Sequence, residues 1–438
     1  MKSLHVFHHS DVVNGVDRTT LTLMRALQRL GHDVSALVPA EGDVTAALDK
    51  LDVEYRVSAL GCCQGPARRA ELRFLARAAE RAIEIQSWIA KVGAEVVHIN
   101  TGHLLDAAVA ACRAGVPGLW HIHAPFAIDY QRYERFLPPS GYAWCLTQLG
   151  QHVIAVSEDV RQSILEHLPA DQVTLLYNGI DVEELDERAQ RPASALHEEL
   201  GIPRDSPIVM GVGRISAQKD FATFVRVARQ VVDRLPATHF AIVGPAEDRE
   251  LAEALPAQIR SLALEKHVHV LGPRADVPAL LKQASAFLST AIFEGQGLAA
   301  LEAMAMKLPV VAMDCVGLRE CIQSGVDGYL VPLGDDTACA EELVRVLGNS
   351  GEANRIGQQA RRSVLEKYSA DAYALGFSHI ATRSSLQAQT FQRERGAGDF
   401  VLGMLREFEI AFDMIQSSVP QPGIRSRLRN VLNKLSTK

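Results

Sequence analysis

Two stretches of the chain concentrate side chains that could do chemistry. The first is GVGRISAQKDF, residues 211 to 221, where Gly211 and Gly213 allow close backbone approach and Arg214 and Lys219 project two cations from one loop. A guanidinium gives forked hydrogen bonds to phosphate oxygens and an ammonium adds a compact charge, so the pair suits a diphosphate. The second is FEGQGLAALEAMA, residues 293 to 305, in which Gly295, Gln296 and Gly297 offer backbone N–H groups at the start of a helix. The dipole of such a helix favours negative charge there. Glu294 and Glu302 stand on either side of that start. Carboxylates beside a phosphate site are unfavourable unless they face something neutral and rich in hydroxyls, and sugar rings are that. Glu294 can accept from a hexose and Glu302 from a ribose. Phosphate, ribose and hexose together describe a nucleotide sugar. Taken alone, each glutamate reads better as an ordinary helix-start or exposed-face residue; the spacing and the basic loop upstream favour the site.

The elements that must hold these loops are read from hydrophobic rhythm. Short apolar runs alternate with longer amphipathic ones, the pattern of a parallel sheet with crossover helices. Leu4 to Phe7, Val34 to Val38, Val96 to Ile99, Leu119 to Ile122 and Val153 to Val156 are the strands expected of one sheet. Ile208 to Val212, His239 to Val243, Val268 to Leu271, Ala286 to Ser289 and Val310 to Ala312 are those expected of another. The turn residues of YNGID, Tyr177 to Asp181, interrupt the rhythm and place the domain boundary, followed by a charged stretch to about residue 200. Ligands of doubly wound sheets collect outside the carboxyl ends of the strands, so two such domains facing each other are expected to enclose a central cleft.

Two segments stand outside this plan. Residues 65 to 92 predict a long helix whose Arg68, Arg69, Arg73, Arg77 and Arg81 interleave with Glu71, Glu80 and Glu84, which reads as the solvated face of a crossover helix. The tail GIRSRLRNVLNKLSTK predicts a basic amphipathic helix, with Ile424, Leu428, Val431, Leu432 and Leu435 on one stripe. Such a helix can lie on an anionic membrane surface, or pack its stripe on a partner or on its own protein.

At 438 residues, two domains are expected. A chain 47% hydrophobic and 22% charged, without an apolar run long enough to span a bilayer, is not an integral membrane protein of the helical kind. The opening residues lack the pattern of a secretory leader, and seven cysteines without a CxxC pair suit reduced thiols. The expectation is a mature chain that starts here, in a cytoplasm, with a membrane-peripheral place open to it through the basic tail. A net charge of -7 argues against general nucleic-acid binding, and no zinc pattern is present.

With these residues in hand, the chain resembles the retaining glycosyltransferases of family 4 (glycosyl transferases group 1), which have the GT-B fold. Glu294 and Glu302 match the family's E-x7-E motif; Gly211, Gly213, Arg214 and Lys219 match its G-x-G-R-x4-K loop; HVHVLGPRADVPALL and Asn178 to Asp181 match two further elements, and weaker matches extend the likeness over about 380 residues. The resemblance implies an acceptor-side Rossmann-like domain over 1–185 and a donor domain over 200–370. It also implies a crossover helix and extension over 371–419, with the tail at 420–438 as an elaboration. It implies Gly15, Gly213, Arg214, Lys219, Glu294, Gly295, Gln296, Gly297, Leu298 and Glu302 at a nucleotide-sugar donor, UDP ahead of GDP, and metal-independent transfer without a cofactor. In the resembling proteins a histidine after a strand of the first domain touches the donor sugar; WHIHAPF offers His121 and His123, and His123 is preferred at the strand end. His123, Glu294, Arg214 and Lys219 are thus the expected catalytic set.

Three departures bear on the site. Gly15-Val16 replaces the family's glycine pair, Gln296 replaces a common aromatic, and Tyr177 replaces the usual proline before Asn178. Two other readings stand beside the transferase: a non-catalytic relative that only binds a nucleotide sugar, and a two-carboxylate glycoside hydrolase using Glu294 and Glu302, which leaves Arg214 and Lys219 unexplained. The acceptor carries no local motif.

Overall fold

The computed structural model describes residues 1–12, 15–58, 77–102, 104–126, 139–150, 152–191, 195–387, 396, 398–403 and 405–406. The predicted helix before residue 77 and the basic tail lie outside the described residues. Two compact units divide the chain: one comprises Met1–Gly179 and the chain from Asp371 onward, the other Ile180–Ala370.

The first unit is built on a parallel sheet of seven strands: β1 (Lys2–Val6), β2 (Asp33–Val38), β3 (Glu54–Val57), β4 (Val96–Ile99), β5 (Gly118–Ile122), β6 (His152–Ala155) and β7 (Val173–Leu175). Their order is β3-β2-β1-β4-β5-β6-β7. The second unit repeats the plan with β8 (Ile208–Val212), β9 (His239–Val243), β10 (Val268–Gly272), β11 (Ala286–Ser289), β12 (Val310–Met313) and β13 (Tyr329–Val331), in the order β10-β9-β8-β11-β12-β13. In both, the winding reverses beside the first strand, between β1 and β4 and between β8 and β11. Central strands such as β4, β5 and β9 are buried along their whole length, as sheets covered on both faces require. The expected α/β class and the ten expected strands are present. The three strands not expected, β3, β7 and β13, are all at sheet edges and run to four residues or fewer, too short for a periodic signal.

The helix Phe221–Arg234 shows how sequence sets the local frame. Phe221, Phe224, Val225, Ala228, Val231 and Val232 recur at helical spacing and are buried, and the Asp220 carboxylate caps the start by accepting from the Thr223 N–H at 3.2 Å. Phe224 meets the Phe240 ring edge to face at 5.7 Å. A Cβ on Gly211 would come within 2.6 Å of that Phe224 ring, so Gly211 serves packing in β8. Phe224→Ala would empty the middle of this core at a cost of about 3–5 kcal/mol.

The helix Ala370–Gln387 carries the chain back to the first unit, where from Asp371 on it covers an unusually polar sheet face. Phe377 packs on the rings of His5 and His98, Tyr373 on that of His121, and Arg383 reaches His152. Further on, Val401, Leu402 and Leu405 are buried in the apolar core on the other face of this sheet, with Leu4, Val6, Val97 and Trp120. Among the described residues, no helix is long and apolar enough to cross a membrane.

Candidate active site

In the second unit the predicted phosphate loop follows β8 at the switch point. A Cβ on Gly213 would fall 2.7 Å from Lys219 Cε, so the bare glycine lets the lysine stem fold back across its own loop. Thr290, just past β11, fastens that loop by donating from Oγ1 to the carbonyls of Lys219 (3.0 Å) and Asp220 (2.9 Å). Lys219 Nζ is thereby held against Glu294, with which it forms an ion pair; the two side chains are 17% and 10% exposed. Gln218 Nε2 donates to the other Glu294 oxygen at 3.2 Å and to the Phe293 carbonyl at 3.1 Å. Burial, and after it the Glu294 carboxylate, push the neighbouring Cys315 thiol up to about 12.

Glu294 leads into the glycine turn. Gly297 has φ +78° and starts the helix Leu298–Ala305, whose first N–H groups have no intrahelical acceptor. A Cβ on Gly317 would stand 2.6 Å from the Glu294 carbonyl oxygen and 2.9 Å from Gly295 C, and its φ of +82° admits little but glycine. Two strand-end loops thus lie backbone to backbone. Lys219, Thr290, Glu294, Gly297, Ala299 and Leu318 line one small pocket at this spot. Arg214 lies outside its wall and pairs with Glu247. Gln296 is 3% exposed, and its carbonyl accepts from Cys321 Sγ at 3.0 Å. Glu302 is half-buried in the helix and is not part of the pocket wall. The predicted residues Gly213, Lys219, Glu294, Gly295 and Gly297 therefore come together, while Arg214 and Glu302 stand beside them.

In the first unit the two candidate histidines separate cleanly. His121 is fully buried in β5, accepts or donates at Nδ1 to His98 Nε2 (3.0 Å), and lies beneath the Tyr373 ring. His98 Nδ1 in turn meets His5 Nδ1 at 3.0 Å, and Ser3 Oγ meets His5 Nε2 at 2.9 Å. Burial holds His98 and His121 well below the ordinary imidazole range and His5 at about 3. His123 is at the open end of β5, partly exposed, with Nε2 3.1 Å from Asn100 Oδ1. Gly15 is the first residue of the helix Gly15–Arg29, and the Val16 carbonyl beside it accepts from Thr19, Thr20 and Asn100 side chains. A further pair sits at the end of β1: His9 Nδ1 lies 2.9 Å from Asp17 Oδ2, and Asp17 is fully buried.

Gln218, Thr290, Gly317, Glu247 and Asn100 are the residues that sequence reasoning missed. Gly317 could have been found, because it is a lone glycine shortly after the expected strand Val310 to Ala312, where doubly wound sheets place their ligand loops. The others are single polar residues whose roles come from tertiary proximity. Among the described residues, no three His, Cys, Asp or Glu side chains gather as metal ligands would.

Comparison with known proteins converges on one family. A model described as glycosyl transferases group 1 matches residues 193–363, and one described as Glycosyltransferase Family 4 matches residues 13–184. The chain is 30% identical over 366 residues to the phosphatidyl-myo-inositol mannosyltransferase of Mycolicibacterium smegmatis, covering 81% of this chain and 86% of that one. It is 26% identical over 348 residues to the UDP-Gal:alpha-D-GlcNAc-diphosphoundecaprenol alpha-1,3-galactosyltransferase of Escherichia coli, covering 76% and 85%. The crystal structure of Anabaena HepE in complex with UDP-glucose superposes with a TM-score of 0.72 at 20% identity, over 87% of this chain and 100% of that one. At that identity the likeness is one of fold, GT-B.

Proposed function

This chain belongs to the family 4, group 1 glycosyltransferases, and from that premise we propose that it moves a sugar from a UDP-sugar to an acceptor with retained anomeric configuration and without a metal ion. The observation that carries the reading is the Lys219–Glu294 pair in a pocket beside the start of the helix Leu298–Ala305. Its ammonium and the helix N-terminus suit the diphosphate, and its carboxylate suits sugar hydroxyls once the diphosphate competes for the lysine. Arg214 supplies the second cation, and the two stabilise charge on the departing diphosphate. Glu302 takes the ribose and His123 the reaction side of the sugar. A hydrolase needs two carboxyl groups flanking one bond; Glu294 is instead engaged by Lys219, and Glu302 lies outside the pocket wall.

UDP is favoured over GDP by the name of the Escherichia coli relative and by HepE, crystallised with UDP-glucose. Two relatives are named for acceptors carried on lipids, a diphosphoundecaprenol and a phosphatidylinositol. These names, with the basic amphipathic tail expected from sequence, support a lipid-borne acceptor met at a membrane surface. The test is thermal stabilisation of the purified chain by UDP, GDP, ADP and their common sugars. A ligand at about 100 times its Kd adds about 2.7 kcal/mol, so UDP should raise the midpoint and Arg214→Ala should lose the shift. Absence of a shift with every nucleotide would defeat the donor assignment.

A further inference from the structure

His123 has a partner whose own orientation is fixed from behind. Asn100 follows β4 at the switch point, is fully buried, and donates from Nδ2 to the Val16 carbonyl oxygen at 3.3 Å. A carbonyl oxygen can only accept, so the amide cannot be reversed without setting two acceptors against each other. Val16 is itself held, because the same oxygen accepts from Thr19 Oγ1 at 2.9 Å and from Thr20 Oγ1 at 3.1 Å at the start of the helix. Asn100 Oδ1 is therefore the atom turned to His123 Nε2, 3.1 Å away, and an acceptor there requires a hydrogen on that nitrogen.

We propose that Asn100 is a positioning residue that locks His123 in its Nε2–H tautomer, so that Nδ1 is the acceptor of the neutral ring and meets a substrate hydroxyl. The ring neighbour His121, at 4.4 Å between centroids, and His98 behind it belong to the hydrogen-bonded row under the helix Ala370–Gln387, so the strand end is tied to a rigid floor. An acceptor nitrogen selects for O–H and against a phosphate oxygen, which divides the labour with the cationic loop of the second unit. The backbone carbonyl of Val16 is then the anchor that sets the amide. This inference rests on the placement of His123 at the reaction side of the sugar.

The experiment is two-bond nitrogen–proton correlation on protein labelled with 15N-histidine, at about pH 8, above the ordinary imidazole range. His123→Gln identifies the His123 signals among those of 15 histidines. The wild type should show a protonated Nε2 and an acceptor Nδ1. Asn100→Leu, which removes the acceptor from Nε2, should give a mixture of tautomers. With UDP-glucose as donor, Asn100→Leu should lower kcat by roughly 10- to 100-fold and leave KM within about twofold, the signature of an interaction made in the transition state. An Nδ1–H tautomer in the wild type overturns the proposal, and so does an unchanged spectrum in Asn100→Leu. If Asn100→Leu fails to fold, the wild-type spectrum alone decides. Full turnover by His123→Gln would instead overturn the catalytic placement of His123, and the spectrum would still judge the tautomer.

Discussion

At the switch point of the first sheet, between β1 and β4, imidazoles and an amide predominate, with the buried Asp17 carboxylate beside them; at that of the second, between β8 and β11, the central groups are ions held by neutral Gln218 and Thr290. The winding is the same, so topology supplies the location and the side chains supply the chemistry. Under the covering helix the first unit satisfies one set of buried polar groups with neutral partners in a row, Ser3, His5, His98 and His121. The second satisfies its charges with each other, Lys219 with Glu294 and Arg214 with Glu247. A neutral row is a floor: it gives no group that a ligand can displace. A pair of ions near the surface is a lock that a stronger anion can open, because breaking a shielded pair costs much less when a new partner arrives at once.

The largest expected effect of that contrast is in acid. Folded imidazoles held below the ordinary range bind fewer protons than the unfolded chain does, so their contribution is fully present above about pH 6.5 and is lost as pH falls from there toward the folded values. His5, at about 3, and His152, lowered to about 4 by burial and by Arg383, each remove about 2 kcal/mol between about pH 7 and pH 5, and His98 and His121 act in the same direction. Asp17, whose carboxyl is raised by burial, offsets part of this, since a raised acid favours the folded state at low pH. The second unit has His269, at about 4, and His239, both less enclosed. All three tryptophans, Trp88, Trp120 and Trp144, lie in the first unit, so their emission during urea titration follows that unit. Its midpoint should fall sharply from about pH 7 to about pH 5; equal midpoints would break the comparison.

Next in size is the ionic side. Lys219→Ala should lower kcat/KM by roughly 10²- to 10⁴-fold and abolish stabilisation by UDP, whereas His123→Ala should keep that stabilisation. If both variants lose nucleotide binding alike, the division between an anion side and a hydroxyl side is wrong. Gly317→Ala comes third. It forces a side chain into a left-handed backbone and against the Glu294–Gly295 peptide, and should cost about 2–4 kcal/mol of stability, visible as a lower thermal midpoint with weaker UDP affinity. The smallest effect tests the lock itself. Glu247→Gln removes the resident counter-charge of Arg214, a pair about one-third exposed, and UDP affinity should rise by about two- to fivefold. Weaker binding in isothermal titration would show that Glu247 orients Arg214 and does not compete for it.

Much of this was legible from residues alone, for reasons of period and punctuation. The central strands are short β-branched runs bounded by turns, and the two loops that hold Lys219 and Glu294 announce themselves by glycines with charges at fixed spacing. The polar row under the covering helix was not legible. Its members are His5, His98, His121 and His152, scattered over about 150 residues, and what joins them is the register of neighbouring strands, His5 opposite His98 and Leu119 opposite His152. Sequence cannot say that an imidazole within an apolar run faces another rather than a lipid-like core. Of His121 and His123, the structure shows only that the first is buried in the row and the second reaches the strand end.

The helix Ala370–Gln387 completes the first sheet although it is made almost 200 residues after β7. On a ribosome working at roughly 5–20 residues per second, about 10–40 s separate the two. Throughout that interval the imidazole floor of the first unit has no cover, while the second unit, contiguous from Ile180 to Ala370, already holds all of its own strands. The order of birth is therefore the reverse of the order of completion: the domain that emerges first is finished last, and a nascent chain stopped before Ala370 would present a folded second unit tethered to an unfinished neighbour.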